Sequence, residues 1–312
     1  MTRSALKDDA IHPNASFGDR FRAWWHGEEL PPAKRDLSSV ALQRKPANAA
    51  LRVLDRPALL QEIWGEGFSS WNDRDLLLNL LNSLAVDKSS SVIELGAGLG
   101  GTLRFMAEHY GCWALGLEAS DALVQSGIKI SSRLGLATKA ELRRFDIEKD
   151  PLRRNAADGI VAFDYFSKLR DKEAALEKVK TSLKSRGRFV VVDFFLKDQR
   201  KAKTLGLWPT KEDNPPHFWP VKQLIGYLKN SGFDLHVNED IALPVRRAVE
   251  RNWSRFATDE NLKTFSLSTI ALAMKEAEYW ANRMRAVDQG LLEIRRLTVI
   301  KKHAGTLTMS DW

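Results

Sequence analysis

The sequence predicts an α/β chain built on a doubly wound parallel sheet, and three observations predict it. Short apolar runs alternate with helix-length amphipathic stretches from Ser91 onward. A glycine-rich turn, Gly96-Ala97-Gly98-Leu99-Gly100-Gly101, follows the first of those runs. Acidic residues then recur where successive runs end, at Glu118, Asp146 and Asp164. In a doubly wound sheet those positions are carboxyl ends of strands, where ligands bind.

Residues 1–50 are polar and carry Pro13, Pro31, Pro32 and Pro46. Within them Phe17, Phe21, Trp24 and Trp25 fall at i, i+4, i+7 and i+8, a helical apolar face. That face suits a helix docked on the main body, and a lid over a site would use the same residues. Residues 57–85 continue at helical spacing, broken at Gly65-Glu66-Gly67. The run 92–95 reads as a buried strand, and a helix follows over 102–110. Next come a strand at 112–118, a helix at 121–134, strands at 140–145 and 159–163, a helix at 171–184 and a strand at 188–195. A helix over 221–231 ends at the stop signal Ser231-Gly232 and leads into a strand at 233–238. Helices over 245–256 and 267–287 and a last strand at 291–300 complete the chain. This divides it into an N-terminal helical extension or lid (1–85), a core (86–240), a helical cap insertion (241–290), and a final strand with its tail (291–312).

The 312 residues suit about two units of ordinary domain size. Hydrophobic content of 44% and charged content of 28% exclude collagen-like, low-complexity and disordered classes. A net charge of +8 favours anionic partners without choosing among them. The one cysteine, Cys112, allows no intrachain disulfide and no cysteine-based metal site, and reads as a small buried apolar residue. No metal is expected. The first dozen residues lack the apolar core of a secretory signal, and no window approaches the roughly 18 apolar residues of a membrane span. A cytoplasmic location is the expectation. Ten tryptophans read mostly as packing residues.

Glycines at the strand-to-helix turn let the backbone lie against a ligand and open the helix N-terminus towards it. Gly96, Gly98 and Gly101 also satisfy G-x-G-x-x-G, so the turn alone does not separate a dinucleotide from other nucleoside cofactors. Glu118 lies 22 residues beyond Gly96, close to the spacing of a carboxylate that accepts both ribose hydroxyls.

On these residues the chain resembles the class I S-adenosylmethionine-dependent methyltransferases. Val92 to Gly101, with Glu94 two residues before the first glycine, resembles that family's first motif. Glu118 matches its ribose-binding acid, and Asp146 with Ile147 its adenine-edge contact. Arg188 to Phe195 is similar to its fifth strand and Leu291 to Lys302 to its final hairpin strand. The resemblance implies a Rossmann-like seven-stranded sheet whose last strand is antiparallel, and S-adenosyl-L-methionine as cofactor. The implied cofactor site is Ser70, Glu94, Gly96, Ala97, Gly98, Gly100, Glu118, Ala119, Asp146, Ile147 and Phe163.

Gly65 to Ser70 is similar to the segment that closes over the cofactor in phosphoethanolamine and related amine N-methyltransferases, and in the cyclopropane-fatty-acid synthase branch. The sequence departs from them at Asn72-Asp73, where they carry a glycine pair. It departs again at Lys168, where many carry a histidine. Asn214-Pro215-Pro216-His217-Phe218 resembles the Asn-Pro-Pro-aromatic motif of nucleic-acid amino-methyltransferases. It follows the fifth strand rather than the fourth, so it reads as a proline-stiffened loop.

The expected reaction is methyl transfer to a small-molecule or lipid acceptor, an amine nitrogen first among the accepting atoms. Asp164 and Tyr165 are the expected catalytic pair, orienting the acceptor. Trp25, Lys168, His217, Trp219 and Arg246 are expected to touch it. Two alternatives stand at this point. One is a catalytically silent S-adenosylmethionine-binding regulatory or RNA-associated module, and the other a dinucleotide-dependent oxidoreductase. Peripheral contact with an anionic membrane and a homo-oligomer are further expectations; nucleic acid is not an expected partner.

Overall fold

The computed structural model describes residues 50–71, 73–205 and 215–303, together with Ala23, Trp25 and Glu212. The face expected over Phe17, Phe21 and Trp24 lies outside the described residues, as do Asn72, Trp208 and Asn214. Two helices open the continuous described path, α1 (Arg56–Trp64) and α2 (Arg74–Leu81). Each begins on an aspartate whose carboxylate accepts a first-turn amide: Asp55 from Ala58 and Asp73 from Leu76, both at 2.9 Å. Such caps satisfy donors that the helix itself leaves free. Between the two helices Gly65 and Gly67 take φ of 97° and 76°, a turn that other residues resist.

The core then runs β1 (Ser91–Leu95), α3 (Gly101–Tyr110), β2 (Trp113–Glu118), α4 (Asp121–Arg133), β3 (Ala140–Arg144) and β4 (Ala157–Phe163). It continues through α5 (Lys172–Ser182), β5 (Leu183–Leu196), α6 (Val221–Asn230) and β6 (Phe233–Asp240). Two long helices, α7 (Ala242–Phe256) and α8 (Leu267–Asp288), precede β7 (Leu292–Lys301). The seven strands form one sheet in the order β3-β2-β1-β4-β5-β7-β6. Strands β1 to β5 pair in parallel, and β7 runs antiparallel between β5 and β6. This is the Rossmann-like sheet with a reversed last strand that the sequence predicts.

The largest difference from the sequence reading lies at the start of β5. The helix expected to reach residue 184 stops at Ser182, and the strand begins at Leu183 rather than Arg188. The pairing with β4 shifts between Ala157 and Gly159, and Arg186 takes φ of 60°. An irregular strand entry of this kind has no period-two signal to read.

Side chains alternate across the sheet. On β5, Val190, Val192, Phe194 and Leu196 join one apolar cluster, while Phe189, Val191 and Phe195 join the other. The first cluster receives α1, α2, α3, α4, α7 and α8; the second receives α5 and α6. Helices α1, α2, α7 and α8 therefore share one layer. Trp64 of α1 meets Trp253 of α7 at 6.0 Å and Trp280 of α8 at 5.1 Å, edge-on in both cases. The connection from β3 to β4 carries no helix, and a groove of about 410 Å³ opens on the α5 side of β1–β3, beside Ile93, Leu115 and Leu152. Among the described residues no helix is long and apolar enough to cross a membrane.

Trp64 is fully buried where the three helices meet. Trp64→Ala should cost about 3–5 kcal/mol in urea unfolding, as large buried aromatics do. Leu134→Ala, at a half-exposed site, should stay within about 0.5 kcal/mol of wild type in the same measurement.

Candidate active site

Strand β1 delivers the chain into a loop whose backbone only glycine tolerates easily: φ is 71° at Gly96, 55° at Gly98 and 80° at Gly100. The Gly96 amide donates to the Leu117 carbonyl of β2 at 2.8 Å, which fixes the loop against the neighbouring strand. The Glu118 carboxylate ends β2 and accepts from the Gly98 amide at 2.9 Å and the Ser120 amide at 2.8 Å. It therefore faces the loop, half-buried. Ala119 beside it is exposed, and Ala97 inside the loop is buried. The Phe145 amide donates to the Glu118 carbonyl, which draws the end of β3 alongside. There Asp146 is half-buried, capping the Glu148 amide and pairing with Lys149 at 2.9 Å, and Ile147 is buried. Both interactions hold the Asp146 carboxyl below its usual range, the hydrogen bond from Lys149 foremost.

Glu94, on β1, is buried beneath the loop. One of its carboxylate oxygens has no hydrogen-bond partner among the described residues. Burial pushes its pKa up to about 8, against the opposing pull of Arg104 and donors from Thr102 and Leu103. A buried carboxyl with an open acceptor is an expensive arrangement unless a cation completes it.

Residues 65–71 lie over the loop. An added Cβ at Gly98 would overlap the Ser69 side chain, and one at Gly101 the Phe68 ring. Ser69 Oγ accepts from the Leu99 amide at 3.4 Å, so the hydroxyl that reaches the loop is that of Ser69, with Ser70 half-buried next to it. Trp71 stacks on Phe163, the last residue of β4, at 5.8 Å. The Arg104 guanidinium joins these layers: Nη2 donates to the Gly67 carbonyl at 2.7 Å and Nη1 to the Leu99 carbonyl at 2.9 Å.

Past β4, Asp164 takes φ of 48°, held by its amide donating to the Val192 carbonyl. Its buried carboxylate accepts from the Tyr279 hydroxyl at 2.8 Å to both oxygens, and from Lys168 Nζ at 3.2 Å. Arg283, one turn after Tyr279 on α8, covers the Tyr279 ring at 3.5 Å and pairs with Glu212 through both guanidinium nitrogens. Burial raises the Tyr279 phenol above its usual range. Lys168 rises too: its burial works against the charge, and Asp164 and Tyr279 overcome it. The Tyr165 ring rests on Gly96, so closely that a Cβ there would overlap it.

The expected acceptor residues are not brought together. Lys168 sits on Asp164. His217 is exposed on the α5–α6 side, its amide donating to the Ser167 carbonyl, and Trp219 packs edge-on to Phe166 in the second cluster. Trp25 is buried against Trp253 at 5.6 Å. Arg246 is engaged by Asp288 and Glu250. Tyr279, Arg283 and Glu212 were not foreseen, because nothing local marks a distant helix that reaches the end of β4. Arg104 left a faint signal: it is the charged member of an otherwise apolar run, Leu103 to Ala107, all of which is buried.

A family model described as a methyltransferase domain matches residues 68–238. The chain belongs to that family. The match spans the glycine loop, Glu118, Asp146 and Asp164, and it sets aside the dinucleotide-oxidoreductase alternative. Phosphoethanolamine N-methyltransferase 3 of Arabidopsis thaliana is 23% identical over 220 residues, which cover 70% of this chain and 41% of that protein. Sterol 24-C-methyltransferase of Saccharomyces cerevisiae is 23% identical over 190 residues, covering 58% of this chain and 50% of that one. The chain thus spans half or less of the length of these two curated relatives. Among solved structures, Haemonchus contortus phosphoethanolamine N-methyltransferase 2, in complex with phosphomonomethylethanolamine and S-adenosylhomocysteine, shares the fold. Its TM-score is 0.67 at 14% identity, over 80% of this chain and 61% of that one.

S-adenosylmethionine is the methyl donor of this family, and the residues present fit it. Glu94 offers an open carboxylate oxygen to an ammonium, Glu118 a carboxylate to ribose hydroxyls, and the glycine loop a bare backbone between them. Calorimetry with S-adenosylhomocysteine should show Glu118→Ala losing about 1.5–3 kcal/mol, the worth of a hydrogen bond to a charged group.

Glu94 gives a pH test. Its folded pKa, about 8, stands above the ordinary 4.5 of a glutamate, so it favours the folded state below that value. The advantage is lost as pH rises towards 8. The melting temperature of the ligand-free protein should therefore fall over that interval more steeply in wild type than in Glu94→Gln. An ammonium ligand selects the ionised carboxyl, so S-adenosylhomocysteine should bind more tightly as pH climbs towards 8. Glu94→Gln should flatten that slope in calorimetry.

Proposed function

We propose that this chain is an S-adenosylmethionine-dependent methyltransferase acting on a small-molecule or lipid acceptor, with an amine nitrogen as the accepting atom. One observation carries the reading. The Asp164 carboxylate stands at the end of β4, next in sequence to the Tyr165 ring that rests on Gly96. An acceptor seated against Asp164 and Tyr165 would lie beside the glycine loop.

When bound, the cofactor supplies an electrophilic methyl on a sulfonium. The protein's part in such an in-line displacement is alignment and exclusion of water. Glu94 and Glu118 would hold the two ends of the donor. Phe68, Ser69 and the Trp71–Phe163 stack would keep solvent from the loop. The Lys168 ammonium neutralises Asp164, so the pair carries no net charge with which to hold an acceptor as its ammonium ion. An amine would enter as the free base, with the lone pair that the displacement needs. The names of the Arabidopsis and Haemonchus proteins point to an amine acceptor and that of the yeast relative to a sterol carbon, which supports a small molecule or a lipid.

The test is transfer of labelled methyl from S-adenosylmethionine to phosphoethanolamine and, separately, to a sterol. Label on the amine nitrogen is the expected result. Label on the sterol alone would overturn the accepting atom, and no transfer to either would favour the silent-module alternative. On whichever acceptor is labelled, Tyr165→Phe should lower turnover by about tenfold or more while S-adenosylhomocysteine affinity stays intact, the pattern of a group that acts in the transition state.

A further inference from the structure

We propose that Arg104 is a positioning residue that latches segment 65–71 onto the glycine loop, and that it thereby sets how long a bound cofactor is retained. Three chain segments converge on its buried guanidinium. From the overlying segment comes the Gly67 carbonyl, at 2.7 Å from Nη2. The glycine loop supplies the Leu99 carbonyl, at 2.9 Å from Nη1, and α4 supplies the Ser131 hydroxyl at 3.2 Å.

The fit around the guanidinium is tight from two sides. At Gly67, with φ of 76°, an added Cβ would overlap Nη2. At Gly100, an added Cβ would come within 3.1 Å of Nη1. The remaining contacts between the two layers are Ser69 Oγ to the Leu99 amide, long at 3.4 Å, and apolar packing of Phe68 over Gly101. Neither is charge-assisted, and a hydrogen bond from a charged donor is roughly twice as strong as a neutral one. From α4, Arg133 also pairs with Glu66 of this segment, but both side chains are more than half exposed, where an ion pair is worth little. Arg104 therefore dominates the buried polar seam between lid and loop.

Its second relation is with Glu94. Each draws the other towards its charged form, while burial works against both. The residue that holds the lid down thus belongs to the same buried charge pair as the open carboxylate of the cofactor site. A lysine would keep the charge but not the planar fork that reaches two carbonyls on different segments.

The experiment is hydrogen exchange on the full chain without ligand, paired with the dissociation rate of S-adenosylhomocysteine, for wild type, Arg104→Lys and Gly67→Ala. The second variant strikes the same contact from the lid side and leaves the guanidinium in place, so the test survives if Arg104→Lys fails to fold. We expect amides of 65–71 to exchange about tenfold faster or more in both variants, with β1 and β4 unchanged. A tenfold change corresponds to about 1.4 kcal/mol, within the worth of one charge-assisted bond. We also expect dissociation of S-adenosylhomocysteine to quicken by a similar factor. Unchanged exchange in 65–71, or a rise spread equally over β1 and β4, would overturn the latch. Faster exchange in 65–71 with an unchanged dissociation rate would overturn its role in retention. Absence of S-adenosylhomocysteine binding to wild type would overturn the cofactor reading and retention with it, while the exchange result on ligand-free protein would still decide the latch.

Discussion

The close approach of side chains to the backbone of Gly96–Gly101 is the constraint on which the rest of the site depends. Three left-handed glycines turn β1 into α3 without presenting a Cβ to either side. Into that space come the Tyr165 ring from the end of β4, and Ser69 and Phe68 from the overlying segment. The same turn leaves the Gly98 amide free to meet Glu118 across the strand boundary. A side chain at Gly96, Gly98 or Gly101 would push these neighbours outward.

Buried charge is handled differently in the two halves of the site. Around Asp164 the charges close on themselves: Lys168 and Tyr279 satisfy the carboxylate, and Glu212 satisfies Arg283. Such a network can stay buried because each charge in it faces an opposite one. Around Glu94 the network is open, with one carboxylate oxygen unmatched. An open acceptor beneath a bare backbone loop implies a ligand that brings a cation to it.

The strands, their order of chemistry and the cofactor side of the site were legible because they rest on local signals. A run such as Val92-Ile93-Glu94-Leu95 followed by alternate glycines has one economical structure, and an acid after each strand has one end of the sheet to occupy. The entry to β5 was not legible, since the left-handed Arg186 and the register shift beside it arise from pairing with β4 rather than from any residue pattern. Of the residues expected on the acceptor side, the fold brings together Asp164 and Lys168, with Tyr165 resting on Gly96. Trp25, Trp219 and Arg246 looked suitable by type, yet aromatic rings are first of all packing material and surface arginines first of all find carboxylates. Trp25 is buried against Trp253, and Arg246 is paired with Asp288. Tyr279 reaches Asp164 across 115 residues of sequence separation, and Arg283 stacks on its ring, a relation that only the fold creates.

That separation bears on how the family could vary. The match to the methyltransferase-domain family ends at residue 238, so it contains the glycine loop, Glu118 and Asp164 but not α8. Tyr279 and Arg283 enter the site from beyond it, on a helix that packs through Trp280 against α1. The glycine loop, Glu118 and Asp164 thus lie within the matched core, and Tyr279, which meets Asp164, lies on a helix between β6 and β7. Because β7 pairs with β5 along its whole length, from Leu292 opposite Leu196 to Ile300 opposite Arg188, the insertion is anchored at its exit however its helices differ. Its residues can therefore change while the sheet and the loop at its carboxyl ends keep their geometry. Under the proposed function, the contact of Tyr279 on α8 with Asp164 is where this segment would bear on the acceptor.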